Sequence, residues 1–531
     1  MLTDNSSPVA SELLIRLAAE PTIQHLFERI LKEARELTNA DGGSLYLVKG
    51  DPASKDSYLQ FAVVQNESLG IHYGGTSGQA IPFPNLPLYK NGKENHNNVC
   101  THVVHHHTIS NIENAYQTEA FDFSGTKSFD RNTNYRSASF LTIPLTNHEF
   151  DVIGVLQLVN AIDRETGEVV PFSHDIEPMI NAMASYAAIV LNNQLLVEEL
   201  KNLLDAFIRC IAEAIDAKSP HTSAHCQRIP VLMELIAKAA CEDNTTFKDF
   251  SLNEDEWYEL KVAAWMHDCG KLSTPDHVLD KSTKLHTLRD GIEAVKGRFD
   301  LMIRDAEIDC LKRCLAEPEQ TCQWEADRDK EINRLREERR FIEKANTGGE
   351  FMAEEDMERV RRIAKQSWRD SQGDTHALLS EDEVHNLCIS RGTLTAEERE
   401  VINNHMVVTI NMLESLPFPK KLRRVPEYAG GHHEKMDGTG FPLGLTRDQM
   451  SIPARMMAVA DIFEALTAKE RPYKKPMPIS VALSILKRMR DDQHIDPDVY
   501  QLIVRSKIWE KYQEHLLPEQ LDVEDISSFL E

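Results

Sequence analysis

The sequence of 531 residues lacks any apolar run of the ~18–20 residues that a helix needs to span a bilayer. Its first residues also lack the basic segment that begins a secretory signal peptide. Cysteine is sparse: nine residues are scattered along the chain, and such a set favours reduced thiols over a disulfide framework. These absences argue against membrane insertion and against a disulfide-stapled secreted domain. We therefore expect a soluble, cytoplasmic protein.

Positive charge is also scarce. Lysine and arginine number 59 against 85 aspartates and glutamates, and the formal net charge is −26. An acidic surface of this kind repels DNA and RNA polymers, so a nucleic-acid polymer is not an expected partner. A small nucleotide in a locally positive pocket remains compatible with this composition.

Residues 1–190 show the patterns of an α+β domain. The segment "IQHLFERILKEARELTNA" has apolar residues at helical spacing, and "LQFAVVQN", "SASFLTIPL" and "FDVIGVLQLVNA" are typical of strands. A second amphipathic helix, "EPMINAMASYAAIVLNN", closes the unit. This order of helix, strands and helix resembles a GAF domain. The resemblance implies a sensor domain with a small ligand of unknown identity.

Within this domain, residues 100–108 read "CTHVVHHHT". Four histidines and one cysteine on one predicted loop suit a transition metal. Histidines crowded on an exposed loop are, however, often only solvated. The sequence leaves both interpretations open.

Residues 191–215 are predicted to form a helical linker. Its apolar residues step by four and three as in a heptad seam: Leu196, Leu200, Leu203, Phe207, Cys210 and Ala214. One interpretation is a parallel dimer stalk, and the other is a core helix of the next domain. Both can hold in different halves of the helix, and we expect a homodimer.

Residues 286–385 differ from the rest of the chain because they are dense in both signs of charge. "DRDKEINRLREERRFIEKA" and "EEDMERVRRIAKQSWRD" contain opposite charges four residues apart and few large apolar side chains. The pattern predicts a charged helical insertion with exposed helices, and "NTGGE" is the predicted turn between them.

Histidine and aspartate occupy distinctive places in the helical region 200–531. Adjacent His267 and Asp268 end an apolar helix, where one carboxylate could bridge two metal ions. Alone, this pair also fits an ordinary helix end followed by Gly270 and Lys271. Asp461 stands in an apolar helix, where an unpaired carboxylate is costly. A shared site becomes the better explanation because more histidines follow the same pattern: His221, His225, His405, His432 and His433.

The ordered motifs "HDCGK", "HHEKMDGTGFP", "VAD" and "RPYKK" resemble those of an HD-GYP domain, a branch of the HD phosphohydrolases. The resemblance covers residues ~200–285 and ~390–510. It implies a multi-domain protein, with the α+β GAF-like domain and helical linker followed by an all-α HD-GYP domain over 200–531 that contains the 286–385 insertion. The implied activity is metal-dependent hydrolysis of cyclic di-GMP to pGpG, GMP or both, regulated by the GAF domain.

The resemblance also implies roles for single residues. Two or three divalent metal ions, iron or manganese, would be held by His225, His267, Asp268, His405, His432, His433 and Asp461. His221 is either an additional ligand or a residue that only fills the place of a tyrosine. Asp268 and Lys271 are implied in catalysis, and the residues implied in substrate binding are Lys271, Asp437, Gly438, Gly440, Arg471 and Lys474.

Three positions depart from the family pattern. Phe441 replaces the tyrosine of the Gly-Tyr-Pro motif, which keeps the ring and removes the hydroxyl. Met406 and Thr409 stand where the family usually has proline and glycine. Two alternatives to the main hypothesis therefore stay open: a cyclic di-GMP receptor that docks a partner, and a phosphohydrolase of another cyclic nucleotide.

Overall fold

A computed structural model describes residues 16–17, 19–50, 55–218, 225–348, 351–469 and 476–530. The chain divides into two units, residues 1–204 and residues 205–531. Each unit is described by itself below.

The first unit is built on an antiparallel sheet with the strand order β3-β2-β1-β9-β8-β7, with β4 paired to β2 and β10 to β9. A separate hairpin pairs β5 with β6. The strands are β1 Ala40–Lys49, β2 Tyr58–Asn66, β3 Ile71–Gly74, β4 Leu86–Pro87, β5 Tyr89–Lys90, β6 Lys93–Glu94, β7 Ser110–Ile112, β8 Phe140–Thr146, β9 Val152–Ile162 and β10 Val169–Val170.

Helices cover both faces of this sheet. They are α1 Ile23–Thr38, α2 Val99–His106, α3 Ser124–Thr133 and α4 Glu177–Lys218. On one face, α1 and the first half of α4 bury residues such as Ile30 and Ala184 against Leu156. On the other face, Val103 of α2 packs with Phe140 of β8. The predicted α+β fold is confirmed, but residues 99–106, predicted as a loop, are helical because Val99 and Val103 lie one turn apart on a buried face.

The expectation that no segment is long and apolar enough to span a bilayer needs a correction. The segment His174–Lys218, which contains α4, meets that criterion by length and composition, because an 18-residue window within it has a mean hydropathy of 1.2. It is the one such segment among the described residues. Ile180, Ala187 and Leu191 from its first half are fully buried in the core of the first unit. The packing of this first half accounts for part of the apolar character of the helix.

The second unit is almost entirely helical. Helices α5 and α14 pack together, and α6 contacts both α5 and α13. The elements are α5 His225–Glu242, α6 Glu254–Met266, α7 Asp276–Leu279, α8 Ile292–Ala316, α9 Thr321–Asn346, α10 Glu354–Ala364, β11 Ser367–Arg369, β12 Thr375–Ala377, α11 Glu381–Leu387, α12 Ala396–Ser415, α13 Val425–Gly430, α14 Ile452–Thr467, α15 Ile479–Asp491, α16 Pro497–Arg505, α17 Ile508–Lys511 and α18 Ser527–Leu530.

The charged insertion is more than a pair of exposed helices. Helices α8 and α9 pack against each other and are joined at residues 317–320. The segment predicted as a turn lies between the end of α9 at Asn346 and the start of α10 at Glu354, whereas "QSWRD", predicted as part of a helix, contributes strand β11. The insertion has an apolar core of its own that includes Phe299, Leu335 and Val360. The small number of apolar residues suggested exposed helices without a core. A long helix, however, needs only a narrow apolar stripe to pack against its neighbours. The buried Lys281 holds this element in place through Asn386 and Glu398, both at 2.7 Å.

Candidate metal centre

Asp268 follows His267, the residue that caps the C-terminal end of α6, and is 1% exposed. The next residues form a 3₁₀ turn, Cys269–Ser273, that packs against α12. A Cβ atom on Gly270 would lie 1.9 Å from the backbone oxygen of His405, so glycine alone permits this contact. The Gly270 N–H also donates to the hydroxyl of Thr409 at 2.9 Å. Thr409, which stands where the family usually has glycine, therefore takes part in bringing Asp268 and His405 together.

One oxygen of Asp268 faces a first group of side chains. Asp268 Oδ2 lies 3.4 Å from His225 Nε2 and 3.2 Å from His267 Nε2. Asp461 Oδ1, from α14, lies 3.3 Å from His225 Nε2 and 3.9 Å from His267 Nε2. One ligand atom from each of these four residues falls within 4.8 Å of the others. The group can thus surround a single cation.

The other oxygen of Asp268 faces a second group. Asp268 Oδ1 lies 3.4 Å from His405 Nε2 and 3.8 Å from His432 Nε2. His405, His432 and His433 also place one ring nitrogen each within 4.8 Å of one another. The two oxygens of one carboxylate therefore face two separate groups of ligands, which is the arrangement required for a carboxylate that bridges two metal ions.

Backbone contacts fix the tautomers of three of these histidines. The Nδ1–H groups of His267, His405 and His432 donate to carbonyl oxygens three residues earlier, at 2.9, 2.5 and 2.7 Å. Each Nε2 is therefore left as an acceptor that faces the centre. Among the described residues, His405 Nε2, His432 Nε2 and Asp268 Oδ1 are buried without a hydrogen-bond partner. Buried acceptors that face each other are costly in the absence of a cation, so the residues fit a divalent metal.

The charge states of three ligands agree with this fit. Burial lowers the pKa of His433 to about 4, and burial with the neighbouring imidazoles holds the pKa of His432 well below its usual range. Burial opposes ionisation of Asp268, but Lys271 and His267 outweigh it and hold the pKa of that carboxyl well below its usual range. Neutral imidazoles and a charged carboxylate are the forms that bind metal. At His225, by contrast, burial lowers the pKa but Asp268, Asp461 and Glu464 outweigh it and raise the pKa well above its usual range, so a metal would displace a proton from that ring.

Comparisons with known proteins identify both units. The model of the GAF domain matches residues 22–191, and that of the HD domain matches residues 380–499. The chain contains a GAF domain and an HD domain. The matched part of the HD domain includes His405, His432, His433 and Asp461. His225, His267 and Asp268 precede the insertion and lie before that match.

Among curated relatives, a 3'3'-cGAMP-specific phosphodiesterase 3 of Vibrio cholerae is 26% identical over 308 residues, which cover 57% of this chain and 40% of the relative. A probable cyclic di-GMP phosphodiesterase of Vibrio cholerae is 38% identical over 119 residues, 22% of this chain and 26% of the relative. A cyclic di-GMP phosphodiesterase of Pseudomonas aeruginosa is 43% identical over 76 residues, 14% and 17% of the two chains. The chain thus spans less than half the length of these relatives.

The HD domain also contains supporting residues that the sequence did not reveal. His225 Nδ1 donates to Glu464 Oε2 at 2.5 Å, and Glu464 Oε1 accepts from Arg228 Nε at 2.6 Å. This carboxylate fixes the ring of His225 from behind, as second partners of metal-binding histidines commonly do. The available signal was the spacing, because Glu464 lies one helical turn after Asp461 and Arg228 one turn after His225.

The glycine-rich loop of the HD domain is organised by Glu434, which is 1% exposed. Its carboxylate accepts hydrogen bonds from the N–H groups of Leu443 at 2.7 Å and Leu445 at 2.9 Å. A Cβ atom on Gly440 would lie 2.3 Å from the backbone nitrogen of Lys435, so the loop crosses itself too closely for any larger residue. Phe441 at the end of this crossing stacks on His433, with ring centroids 4.9 Å apart and planes at 14°.

The other predicted residues of the HD domain occupy varied positions. Lys271 Nζ lies 2.5 Å from Asp268 Oδ2, beside the centre. Gly438 has φ +79°, and Asp437 is exposed and accepts a hydrogen bond from the Thr439 N–H at 2.9 Å within its own turn. Three predicted residues lie outside the described residues: His221, Arg471 and Lys474.

Proposed function

We propose that this protein is a metal-dependent phosphodiesterase that hydrolyses a cyclic dinucleotide, with cyclic di-GMP as the first candidate and pGpG or GMP as product. The observation that carries the proposal is the position of Asp268, whose two oxygens face two different groups of histidines. A bridging carboxylate between two metal sites suits phosphodiester hydrolysis. The relatives from Vibrio cholerae and Pseudomonas aeruginosa, named as phosphodiesterases of cyclic dinucleotides, support the same reaction class.

Seven side chains would hold two divalent ions, which we propose to be iron or manganese: His225, His267, Asp268, His405, His432, His433 and Asp461. A third ion would need a further ligand, for which His221 is the candidate. When bound, such ions lower the pKa of coordinated water and neutralise charge that builds up on the phosphoryl oxygens. Mixed imidazole and carboxylate ligands accommodate both metals.

The remaining residues would hold the substrate. Lys271 lies against Asp268 and would offer its ammonium group to the reacting phosphate. Arg471 and Lys474 would bind the second phosphate, the arginine through paired hydrogen bonds. The loop with Asp437, Gly438 and Gly440 would lie along the substrate, and the face of Phe441 opposite His433 would be free to stack on a base.

A second candidate substrate is 3'3'-cGAMP. The relative matched over the greatest length among those described here, 308 residues, is named as specific for that dinucleotide. The two substrates differ in one base, so they share the same phosphodiester chemistry and differ only at contacts to base edges.

The test measures hydrolysis of both dinucleotides by the full chain, purified without oxygen and loaded with ferrous iron or manganese, with the metal counted on the same sample. We expect conversion of at least one dinucleotide, and its loss in Asp268→Ala. The ratio of kcat/KM for the two substrates then assigns specificity. A protein that binds two metals yet converts neither substrate would contradict the proposal, and one that binds cyclic di-GMP without metal would favour the receptor.

We further propose a cytoplasmic homodimer joined along α4. Leu196, Leu200, Leu203 and Phe207 are 46%, 65%, 51% and 59% exposed, while Ile208, Ala212 and Ile215 on another face are buried. The heptad seam is thus a continuous exposed apolar stripe that a second copy would cover. Light scattering on the full chain should give the mass of a dimer, and Leu200→Glu with Leu203→Glu should shift it to a monomer. A wild-type monomer at micromolar concentration would contradict the dimer.

The GAF domain would regulate this activity through a small ligand. It contains a cavity of about 360 Å³, whose lining includes Tyr46, Phe61, Phe129 and Phe140. This volume and the aromatic walls suit a small planar molecule. The polar wall is supplied in part by Tyr135, whose hydroxyl accepts from Asn160 Nδ2 at 2.9 Å.

A further inference from the structure

A second histidine cluster lies in the GAF domain, far in sequence from the HD centre. His102 and His106 are one turn apart on α2, and their ring centroids lie 4.2 Å from each other. His96 precedes α2, and its ring lies 5.4 Å from that of His102 and 5.0 Å from that of His106. One ring nitrogen of each histidine falls within 4.8 Å of the others. The helix and the segment before it thus bring three imidazoles to one point.

The contacts of His96 distinguish this cluster from solvated surface histidines. Its Nε2 lies 3.1 Å from Glu94 Oε2, so the Nε2–H donates to the carboxylate. Its Nδ1 is therefore an acceptor, and that atom is buried without a hydrogen-bond partner among the described residues. A carboxylate behind an imidazole with its other nitrogen unpartnered is the usual arrangement of a metal-binding histidine.

The surroundings of the cluster favour neutral imidazoles. His102 packs edge-on against Phe121 with centroids 5.1 Å apart. Burial lowers the pKa of His102, and the neighbouring His106 and His96 lower it further. Three crowded rings cannot all be protonated without repulsion, whereas three neutral rings can share one cation.

The two remaining histidines of the same stretch are not part of the cluster. His105 Nε2 lies 2.8 Å from the backbone oxygen of Leu88, which occupies that ring nitrogen. His107 is the exposed residue that ends α2 in a left-handed conformation, with φ 55°. The cluster is therefore a selection of three rings and not the whole run of histidines.

We propose that His96, His102 and His106 bind one late first-row divalent cation of the zinc type. Three neutral nitrogen donors suit zinc, cobalt, nickel or copper better than manganese, which prefers oxygen. A tetrahedral site with bonds of 2.0–2.1 Å separates the nitrogens by about 3.4 Å, so small rotations of the rings would close the site. The fourth position would be open to water.

The position of the site links it to the GAF cavity. Asn98, which caps α2 because its Oδ1 accepts a hydrogen bond from the Cys100 N–H at 2.9 Å, lines the cavity together with Val99. The same helix carries His102 and His106. A cation that ties α2 to His96 would therefore restrain one wall of the cavity, and its occupancy would influence what the cavity binds.

The test uses the full chain with zinc supplied in excess, so that the HD centre is filled with zinc in every variant and a difference between variants reports on the GAF site. Bound zinc is counted after removal of free metal. We expect the double variant His102→Gln with His106→Gln to bind one zinc fewer per chain than the wild type. His107→Asn, which removes a neighbouring imidazole and tolerates the left-handed backbone, should bind the wild-type amount.

Two further variants keep the proposal falsifiable if the double variant folds poorly. His96→Gln, on a different segment, should weaken zinc binding at least tenfold. Glu94→Gln should weaken it by about 10–100-fold because the carboxylate orients the ring of His96. Equal zinc content and affinity in the double variant and the wild type would overturn the proposal, as would unchanged affinity in His96→Gln.

Discussion

The two histidine clusters of this chain use the same side chain in different environments. In the HD domain, His267, Asp268 and His432 are no more than 3% exposed, and the adjacent His267 and Asp268 lie more than 160 positions before His432. In the GAF domain, His96, His102 and His106 lie within eleven consecutive residues; His96 and His102 are partly buried and His106 is exposed.

The difference in ligands matters more than the difference in burial. The HD centre includes two carboxylates, Asp268 and Asp461, and one of them faces both groups of histidines. The GAF cluster has only imidazoles within reach of the metal, with Glu94 placed behind His96. A charged bridging group allows two metals near each other and a phosphate between them, whereas three neutral rings suit a single ion with a structural or regulatory role.

The largest expected effect is a loss of bound metal from the HD centre that leaves the GAF cluster unchanged. Asp268→Ala should lose the metals of the HD centre and reduce hydrolysis to background, because it removes the one group shared by both sites. The zinc of the GAF cluster should remain. Metal counting and turnover on one sample test this, with Asp448→Ala, an exposed aspartate of the same domain, as the control. Full activity in Asp268→Ala would contradict a bridged centre.

The next largest effect is a loss of stability on substitution of Gly270, because the HD centre, unlike the GAF cluster, depends on close backbone packing at this residue. Gly270→Ala would place a Cβ atom 1.9 Å from a backbone oxygen, and relief of this overlap should destabilise the second unit by about 3 kcal/mol. Gly297→Ala is the matched control, because this helical glycine has nothing within 4 Å and alanine should stabilise α8 by about 0.5–1 kcal/mol. Denaturant unfolding midpoints compare them. Similar midpoints for both variants would show that the turn moves freely.

Each cluster has a carboxylate that accepts a hydrogen bond from one of its histidines, Glu464 from His225 and Glu94 from His96, so the same substitution can be compared in both. Glu464→Gln weakens the acceptor for His225 Nδ1 and should lower the metal affinity of the HD centre by about 10–100-fold. Excess metal should restore most of the turnover, since the ligands themselves remain. Glu94→Gln should have no effect on this measurement, just as Glu464→Gln should not change zinc binding by the GAF cluster. A loss of turnover that excess metal does not repair would assign Glu464 a role in the chemistry.

The proximity of the seven side chains was predictable because they belong to short ordered motifs, while their role as metal ligands stays a prediction. The seven predicted ligands are all among the described residues and come together around Asp268. Glu464 and Arg228 were missed because each is an ordinary charged residue until the fold places Glu464, more than 200 positions further along the chain, against both His225 and Arg228. A periodic pattern carries no information on such long-range partners.

In the GAF domain, the overall fold was predicted but one local element was not. Its sheet and flanking helices follow from alternating and helical patterns and were predicted, but the secondary structure of residues 99–106 was not. Residues 100–108, with four histidines, were predicted as a loop, but Val99 and Val103 lie one turn apart on a buried face and favour a helix. His96 lies outside the histidine-rich run that drew attention, so its place in the cluster required the structure.

The smallest expected effect comes from the residue that departs from the family motif. Phe441 stacks on His433 at 4.9 Å, and a tyrosine would keep that stacking. Phe441→Tyr should therefore change KM and kcat by no more than about threefold, whereas Phe441→Leu should lose stacking worth about 0.5–1.5 kcal/mol. Steady-state kinetics on the preferred dinucleotide compare the two variants. If Phe441→Tyr alone raised kcat/KM tenfold or more, the hydroxyl would contact the substrate directly, and the natural phenylalanine would mark a weakened or altered specificity of this HD domain.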